Sequence, residues 1–331
     1  MTDLDRILEV AQEAGRQAAH LCRAVHADTP ESMDKGDKSP VTIADYGSQA
    51  VILRLIGDAF PDHGVISEEG SEHLRESAGD AGIEKIVGLV NAQIGGGADF
   101  DQVCNWIDHA GVEGAEYTWA IDPIDGTKGF LRRQQYAVAI GLMKNGVPFA
   151  GVLVCPNLPT DLDQPEGQKG VLFVAAKGRG AFSVPIDGGE TERIHVSTST
   201  DSATWRVLGS VESAHGDPSL VVAMMKEAGV GGGFVRYDSQ VKYGVVANGS
   251  SEIYVRPRSN PEYRENIWDH VAGVIVCEEA GGRVTDVDGK DLDFSLGKRL
   301  LENRGILATC GGVVHDAVVA GLAAAENRPS S

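Results

Sequence analysis

The sequence contains no run of about 18 consecutive apolar residues, so no helix in it is expected to span a membrane. It is also short of positive charge. Lys and Arg number 29 against 48 Asp and Glu, a formal net charge of −19, which argues against a polynucleotide or an anionic membrane as partner because both reward basic patches. A small anionic ligand is still allowed, provided that its attraction is supplied locally by metal ions and a few placed Lys or Arg. Cysteine is scarce as well: Cys22, Cys104, Cys155, Cys277 and Cys310 are scattered, with no C-x-x-C pair. This fits reduced thiols in a cytoplasmic protein and argues against a zinc site. The first residues, MTDLDRILEVAQEAG, are acidic and amphipathic where a secretory signal would be basic and then continuously apolar, so they read as a surface helix.

What is present is an ordinary enzyme-like composition, 42% hydrophobic over 331 residues, enough for two domains or one large one. Leu4, Ile7, Leu8, Ala11, Ala14, Ala18, Leu21 and Val25 form one helical stripe. KGDKSPVT (35–42) reads as a polar loop, TIADYGSQAVILRLIGDAF as a second helix ending before Pro61, and VISEEG as a short strand. Residues 70–116 look like an elaborated insertion with helices near 81–94 and 100–110. From 117 to 185 strands predominate, with Asn145-Gly146 as a hairpin signal and the GRG at 178–180 as a turn. Beyond about 190, strands alternate with helices, including one helix from WDHVAGVIVCEEAG. The expected organisation is an α+β N-terminal part with an antiparallel sheet, residues 1–188, and an α/β C-terminal part, residues 189–331.

The most informative stretch is WAIDPIDGTKGFLRR (119–133). Its strand-like lead-in should end at Asp122, with Pro123 stopping the ladder, Asp125-Gly126 turning, and Thr127 able to cap a following helix whose free N–H groups face an anion. An EF-hand loop counted from Asp122 fails, because Ile124, Gly126 and Arg133 stand at its third, fifth and twelfth positions. A phosphoaspartyl phosphatase fails because Pro123 occupies the nucleophile's place. A carboxylate pair that holds hard divalent cations against a phosphate remains, beside the alternative of a structural Asx turn. A carboxylate-pair glycosidase would leave four clustered acids without counter-charge.

Four other stretches accompany it: SPVTIAD (39–45), ISEEG (66–70), DSQVKYG (238–244) and IWDHVAG (267–273). Taken singly, Asp45 and Asp269 could be helix caps and Glu68-Glu69 a solvated strand end. In this order they resemble the lithium-sensitive, magnesium-dependent phosphatase superfamily that contains inositol monophosphatase and the 3′(2′),5′-bisphosphate nucleotidases. DPIDGTKGFLR, the long stretch between Glu68 and Asp122, and the SVESAH (210–215) and SQVKY segments look like the nucleotidase branch.

The resemblance implies a layered αβαβα sandwich and two or three Mg²⁺ ions per site. It implies metal ligation by Glu68, Asp122, Asp125, Asp269 and the Ile124 carbonyl, and a catalytic pair, Asp45 and Thr127, that orients and deprotonates the attacking water. Gly126, Thr127, His215, Ser239, Lys242, Arg256 and Glu265 would contact a small anionic nucleotide, 3′(2′)-phosphoadenosine 5′-phosphate or its phosphosulfate analogue. The expected assembly is a monomer or homodimer. The rival readings are an inositol phosphate phosphatase built on the same core and a catalytically silent nucleotide or cation sensor.

Overall fold

The computed structural model describes residues 2–28, 39–77, 79–211, 217–258 and 260–327. Helices α1 (Asp3–Asp28) and α2 (Ser39–Ala59) come first, followed by β1 (Gly64–Ser67), α3 (Ser71–Ser77), α4 (Asp80–Ile94) and α5 (Phe100–Ile107). Then come β2 (Tyr117–Asp125), α6 (Thr127–Leu131), β3 (Ala137–Lys144), β4 (Val147–Pro159), β5 (Lys169–Ala176), β6 (Gly180–Pro185) and β7 (Glu192–Ile194). The remainder is β8 (Val207–Gly209), α7 (Pro218–Glu227), β9 (Phe234–Arg236), α8 (Val241–Ala247), β10 (Ile253–Arg256), α9 (Val271–Glu279), β11 (Arg283–Thr285), β12 (Ile306–Thr309) and α10 (Gly312–Glu326).

The first seven strands form one sheet in sequence order, antiparallel except for the parallel β1–β2 edge. The second sheet runs β11-β12-β10-β8-β9 and is mixed. The chain passes from one sheet to the other between Ile194 and Val207, so β7 still belongs to the first sheet beyond residue 188.

Patterning explains the layers. The stripe of α1 is buried at Ile7, Ala11, Ala14, Ala18, Leu21 and Val25 and packs with α2 on the outer face of the first sheet, whereas Leu4 and Leu8 sit at its margin. VAGVIVC in α9 has no polar face, as a helix covered on all sides requires; it lies with α8 between the two sheets, and its first seven residues are buried. On the far side, α7 and α10 cover the second sheet with Val221, Met224, Val314 and Val318. The result is the αβαβα sandwich that the resemblance implies. Two strand glycines set how closely the middle layer approaches. A Cβ at Gly151 would lie 2.5 Å from Ile275 Cγ2, and one at Gly141 2.5 Å from Val271 Cγ1.

Several local expectations are corrected. β2 does not stop at Pro123. It continues to Asp125 through an irregularity in which Asp122 pairs with Ala139 but Asp125 with Ala137, so that Pro123 and Ile124 stand opposite the single residue Val138, as in a bulge. Ser39–Thr42 belong to α2 rather than to a loop, with Pro40 tolerated in the first turn, where no intrahelical donor is needed. The expected helix over 268–281 is split: a 3₁₀ turn, Ile267–Asp269, is followed by His270 at φ −139° before α9 begins. Neither α3 nor β7 was anticipated. The Asn145-Gly146 hairpin is found, with both residues at positive φ, and all five cysteines are free. Among the described residues no helix is long and apolar enough to cross a membrane.

One buried titratable side chain links α10 to the second sheet. His315 Nε2 lies 3.1 Å from Thr285 Oγ1 and Nδ1 lies 3.0 Å from Thr309 Oγ1. The Thr285 hydroxyl donates to Asp286 O and the Thr309 oxygen accepts from Gly311 N–H, so the chain of donors closes when the imidazole is neutral, with the proton on Nε2. Burial, reinforced by Arg283, pushes the His315 pKa down to about 4. Between that value and the ordinary 6.5 the unfolded chain holds the extra proton, so this contribution is present above pH 6.5 and is lost as pH falls to about 4. The expected loss is about 1–3 kcal/mol, read as the pH dependence of the urea midpoint, and it should be reduced in His315→Gln. Equal pH dependence in the two proteins would overturn this assignment.

Candidate active site

The strand ends of the first sheet bring the acids together. Parallel pairing sets Ser67 beside Ile121, and Glu68 N–H then donates to Ile121 O at 3.2 Å, which places Glu68 next to Asp122. Asp122 is buried, and its Oδ1 accepts the Ile124 N–H at 3.0 Å, so the carboxylate folds back over its own turn. Asp125 Oδ2 accepts the Gln240 N–H at 2.6 Å, tying the β2 turn to the start of α8. Asp269 arrives from the 3₁₀ turn before α9. Glu68, Asp122, Asp125 and Asp269 all line one cleft of about 530 Å³, together with Ile124, Gly126 and Thr127.

The acids respond to one another electrostatically. Burial, then the charges of Glu68, Asp125 and Asp269, holds the Asp122 carboxyl well above the usual carboxylate range. Burial, followed by Asp125, does the same to Asp269. Glu68 is pushed up to about 7, chiefly by burial. Asp125 is raised by burial but is partly relieved by Lys242. Such a set of desolvated oxygen donors, with repulsion that protein cations relieve only in part, fits hard divalent cations. Glu265, Asp269 and His270 also bring three donor atoms within 4.8 Å of one another. We do not assign a separate metal site there, because Arg256 already pairs with Glu265 at 3.3 Å and the Tyr243 hydroxyl lies 3.0 Å from His270 Nδ1.

The β2 turn has two special backbone positions. Gly126 has φ +92°, and a Cβ there would lie 2.9 Å from the Ser239 Cβ, so glycine is needed for conformation and for clearance. Ser239 itself has φ +67°, an unusual conformation for a residue with a side chain. Gly126 is the N-cap of α6, and Thr127 is the first helical residue rather than the cap. The Thr127 hydroxyl is turned toward Ile124 O at 3.5 Å. Since α6 spans only five residues, its macrodipole is a minor source of anion binding, contrary to the expectation for a longer helix.

Asp45 lies on α2, which packs against α6. It is buried, and burial followed by Glu69 and Glu68 raises it well above the usual range. Among the described residues it makes no hydrogen bond to Thr127.

Of the expected nucleotide contacts, Ser239, Lys242, Arg256 and Glu265 line the cleft, whereas His215 lies outside the described residues. Lys242 Nζ donates to Tyr237 O at 3.1 Å and to Ser239 O at 2.7 Å, and burial pushes its pKa down to about 8. Glu265 is buried between Arg256 and His270 Nε2, 3.4 Å away. Burial alone would raise Glu265, but Arg256 and His270 hold it below its ordinary value. It therefore braces Arg256.

Several organising residues were not singled out from the sequence. Gln240 is the hub: its N–H bonds Asp125, its Nε2 donates to Trp268 O at 3.0 Å, and its Oε1 accepts from Gly273 N–H at 3.2 Å. It thus locks the Asp125 turn to the Asp269 turn. Gln49 clamps the backbone after β1 from behind, accepting from Glu69 N–H at 3.0 Å and donating to Glu69 O at 2.7 Å. Arg132 pairs with the buried Asp238 at 2.5 Å, joining the end of α6 to the residue before Ser239. Nothing in the sequence distinguishes these amides and this ion pair from surface polar residues. Their roles depend on partners distant in the chain.

Compared with known proteins, the chain matches the model of the inositol monophosphatase family over residues 3–326. It is 33% identical over 347 aligned residues to a 3′(2′),5′-bisphosphate nucleotidase of Schizosaccharomyces pombe, covering 99% of this chain and 97% of the relative. It is 40% identical over 322 residues to a protein of the same name from Oryza sativa, covering 91% and 89%. A solved inositol monophosphatase structure from Anabaena superposes with a TM-score of 0.64 at 26% identity, covering 98% of this chain and 97% of that one.

Proposed function

Because this chain belongs to the inositol monophosphatase family, we propose that it is a phosphoric monoester hydrolase that removes the 3′(2′)-phosphate from 3′(2′)-phosphoadenosine 5′-phosphate to give AMP and inorganic phosphate. The observation that supports this reading is the composition of the cleft: Glu68, Asp122, Asp125 and Asp269 line it together with Lys128, Lys242, Arg256 and Arg258. A single phosphate held through metal ions would use only the acids. The basic side chains suit a second anionic group, and the bisphosphate nucleotidases that this chain is similar to are named for such a substrate.

Glu68, Asp122, Asp125, Asp269 and the Ile124 carbonyl are the donors that would hold Mg²⁺. When bound, Mg²⁺ neutralises charge on the phosphoryl oxygens and makes water more acidic. The chain's own groups then orient and move protons. Thr127 Oγ1 lines the cleft and can accept a hydrogen bond from the attacking water. Asp45, on α2 packed against α6 and of raised proton affinity, would when ionised receive the Thr127 hydroxyl proton as that hydroxyl takes one from the water, which requires the hydroxyl to turn from Ile124 O toward Asp45. Gly126 and Thr127 line the cleft, and their backbone N–H groups would donate to phosphate oxygens. Lys242 retains one of its three N–H donors beyond the two carbonyls it already serves.

A phosphate-release panel with purified protein and Mg²⁺ tests the reading. 3′-Phosphoadenosine 5′-phosphate is expected to be hydrolysed with kcat/KM at least about tenfold above that for inositol 1-phosphate, since only the former offers a second phosphate to the basic side chains of the cleft. A preference for the inositol ester would replace this proposal with the inositol phosphatase reading. Release from no substrate would favour the silent sensor.

A further inference from the structure

Of the four cations that line the cleft, three, Lys128, Lys242 and Arg256, are already engaged. Lys242 serves two backbone carbonyls, and Arg256 is paired with Glu265 at 3.3 Å. Arg258 is different. It lines the same cleft two residues beyond Arg256, just past the end of β10. Its Nε and Nη2 are buried and have no hydrogen-bond partner among the described residues.

Those two nitrogens form one edge of the guanidinium, and their N–H bonds are parallel and spaced to meet two oxygens of one phosphate. Among the described residues, the two acids whose charge acts on Arg258 are already engaged. Glu265 is held by Arg256 and His270, and Asp286 accepts the backbone N–H groups of Asp288, Lys290 and Arg304. The neighbouring cations are internally satisfied: Arg264 donates to two backbone carbonyls, and Arg304 pairs with Asp288 and Glu326. A desolvated guanidinium edge without a partner is costly, and a flexible side chain would turn toward water unless an anion completed the arrangement.

We propose that the Nε–Nη2 edge of Arg258 binds the phosphate that is not hydrolysed, the 5′-phosphate of the nucleotide, and so makes Arg258 the residue that selects a bisphosphate over a monophosphate. The proposal rests on the phosphatase reading above and assigns its specificity to one side chain. Arg258 is placed on the substrate, away from the reacting atoms.

The test compares wild type, Arg258→Gln and Arg258→Lys, each with Mg²⁺. The substrates are 3′-phosphoadenosine 5′-phosphate and adenosine 3′-phosphate, which share base, sugar and scissile group and differ only at the 5′ position. Arg258→Gln is expected to raise KM for the bisphosphate roughly 10- to 100-fold with kcat within about twofold, and to leave kcat/KM for the monophosphate unchanged. Arg258→Lys should recover part of the loss, because it restores charge without the fork. Equal losses on both substrates, or no loss on either, would overturn the assignment. If wild type hydrolyses neither substrate, the phosphatase reading fails on its own account. Calorimetric binding of adenosine 5′-phosphate then still judges the anion edge: weaker binding to Arg258→Gln than to wild type supports it, and equal binding removes it.

Discussion

Asp122→Asn is expected to turn over roughly a hundred- to a thousandfold more slowly than wild type at saturating Mg²⁺, while unfolding in chelator at the same temperature or higher. The two halves of this expectation have one cause. Asp122 is buried beside Glu68, Asp125 and Asp269, each of which raises its proton affinity. Removing one negative charge from that cluster relieves repulsion in the metal-free protein, and the amide oxygen can still accept the Ile124 N–H that Oδ1 accepts now. The same removal deletes a donor that a cation needs. Asp125→Asn should lose activity to a similar degree, since its oxygen can keep the Gln240 N–H but its charge cannot be replaced. Steady-state kinetics over a Mg²⁺ titration, with thermal melts in chelator, check both variants. Near wild-type kcat in either one would remove these aspartates from the metal site, and a collapsed melt would make them structural.

Removing metal from the wild-type protein should abolish activity, and Mg²⁺ should restore it together with thermal stability. Four clustered acids, Asp122 buried, Asp125 and Asp269 half-buried and Glu68 exposed, repel one another, and the protein offsets this only in part, which makes the folded state a better host for a dication than the unfolded chain. Binding to the folded state alone stabilises it by about 2.7 kcal/mol when the free ion is at about 100 times its Kd. The melting temperature should therefore climb with Mg²⁺ concentration, and the climb should be much reduced in Asp122→Asn. Full turnover in excess chelator, or a melt indifferent to Mg²⁺, would show that the cluster does not hold the ion.

Much of the fold is written in local patterning. The α1 stripe, the continuous apolar runs of the first sheet's central strands, the Asn145-Gly146 hairpin and the fully apolar run of α9 each specify an element from neighbouring residues alone. The misjudged places are those where a distant partner overrides the local signal. Pro123 lacks a ladder donor, yet β2 continues past it, because the irregularity between Asp122 and Asp125 carries the pairing with β3 around the proline. Residues 268–281 have uniform helical texture, but the tie from Gln240 to Trp268 O and Gly273 N–H accompanies a break at His270 that separates Asp269 from α9. Thr127 looked like a cap, and the positive-φ Gly126 holds that position instead.

The sequence by itself determined the inventory of the site: which carboxylates there are, the stiff turn that carries two of them, and the glycine that exposes it. Those are properties of short stretches, set by side-chain chemistry and backbone sterics. Only the tertiary structure decided how the inventory is used. It brought Glu68 and Asp269 to the same cleft, engaged Lys242 and Arg256 with the protein, made Glu265 a brace, and left one edge of Arg258 without a partner among the described residues. Burial and pairing are relations between residues far apart in the chain, and charge, pKa and hydrogen-bond saturation follow from those relations rather than from residue type.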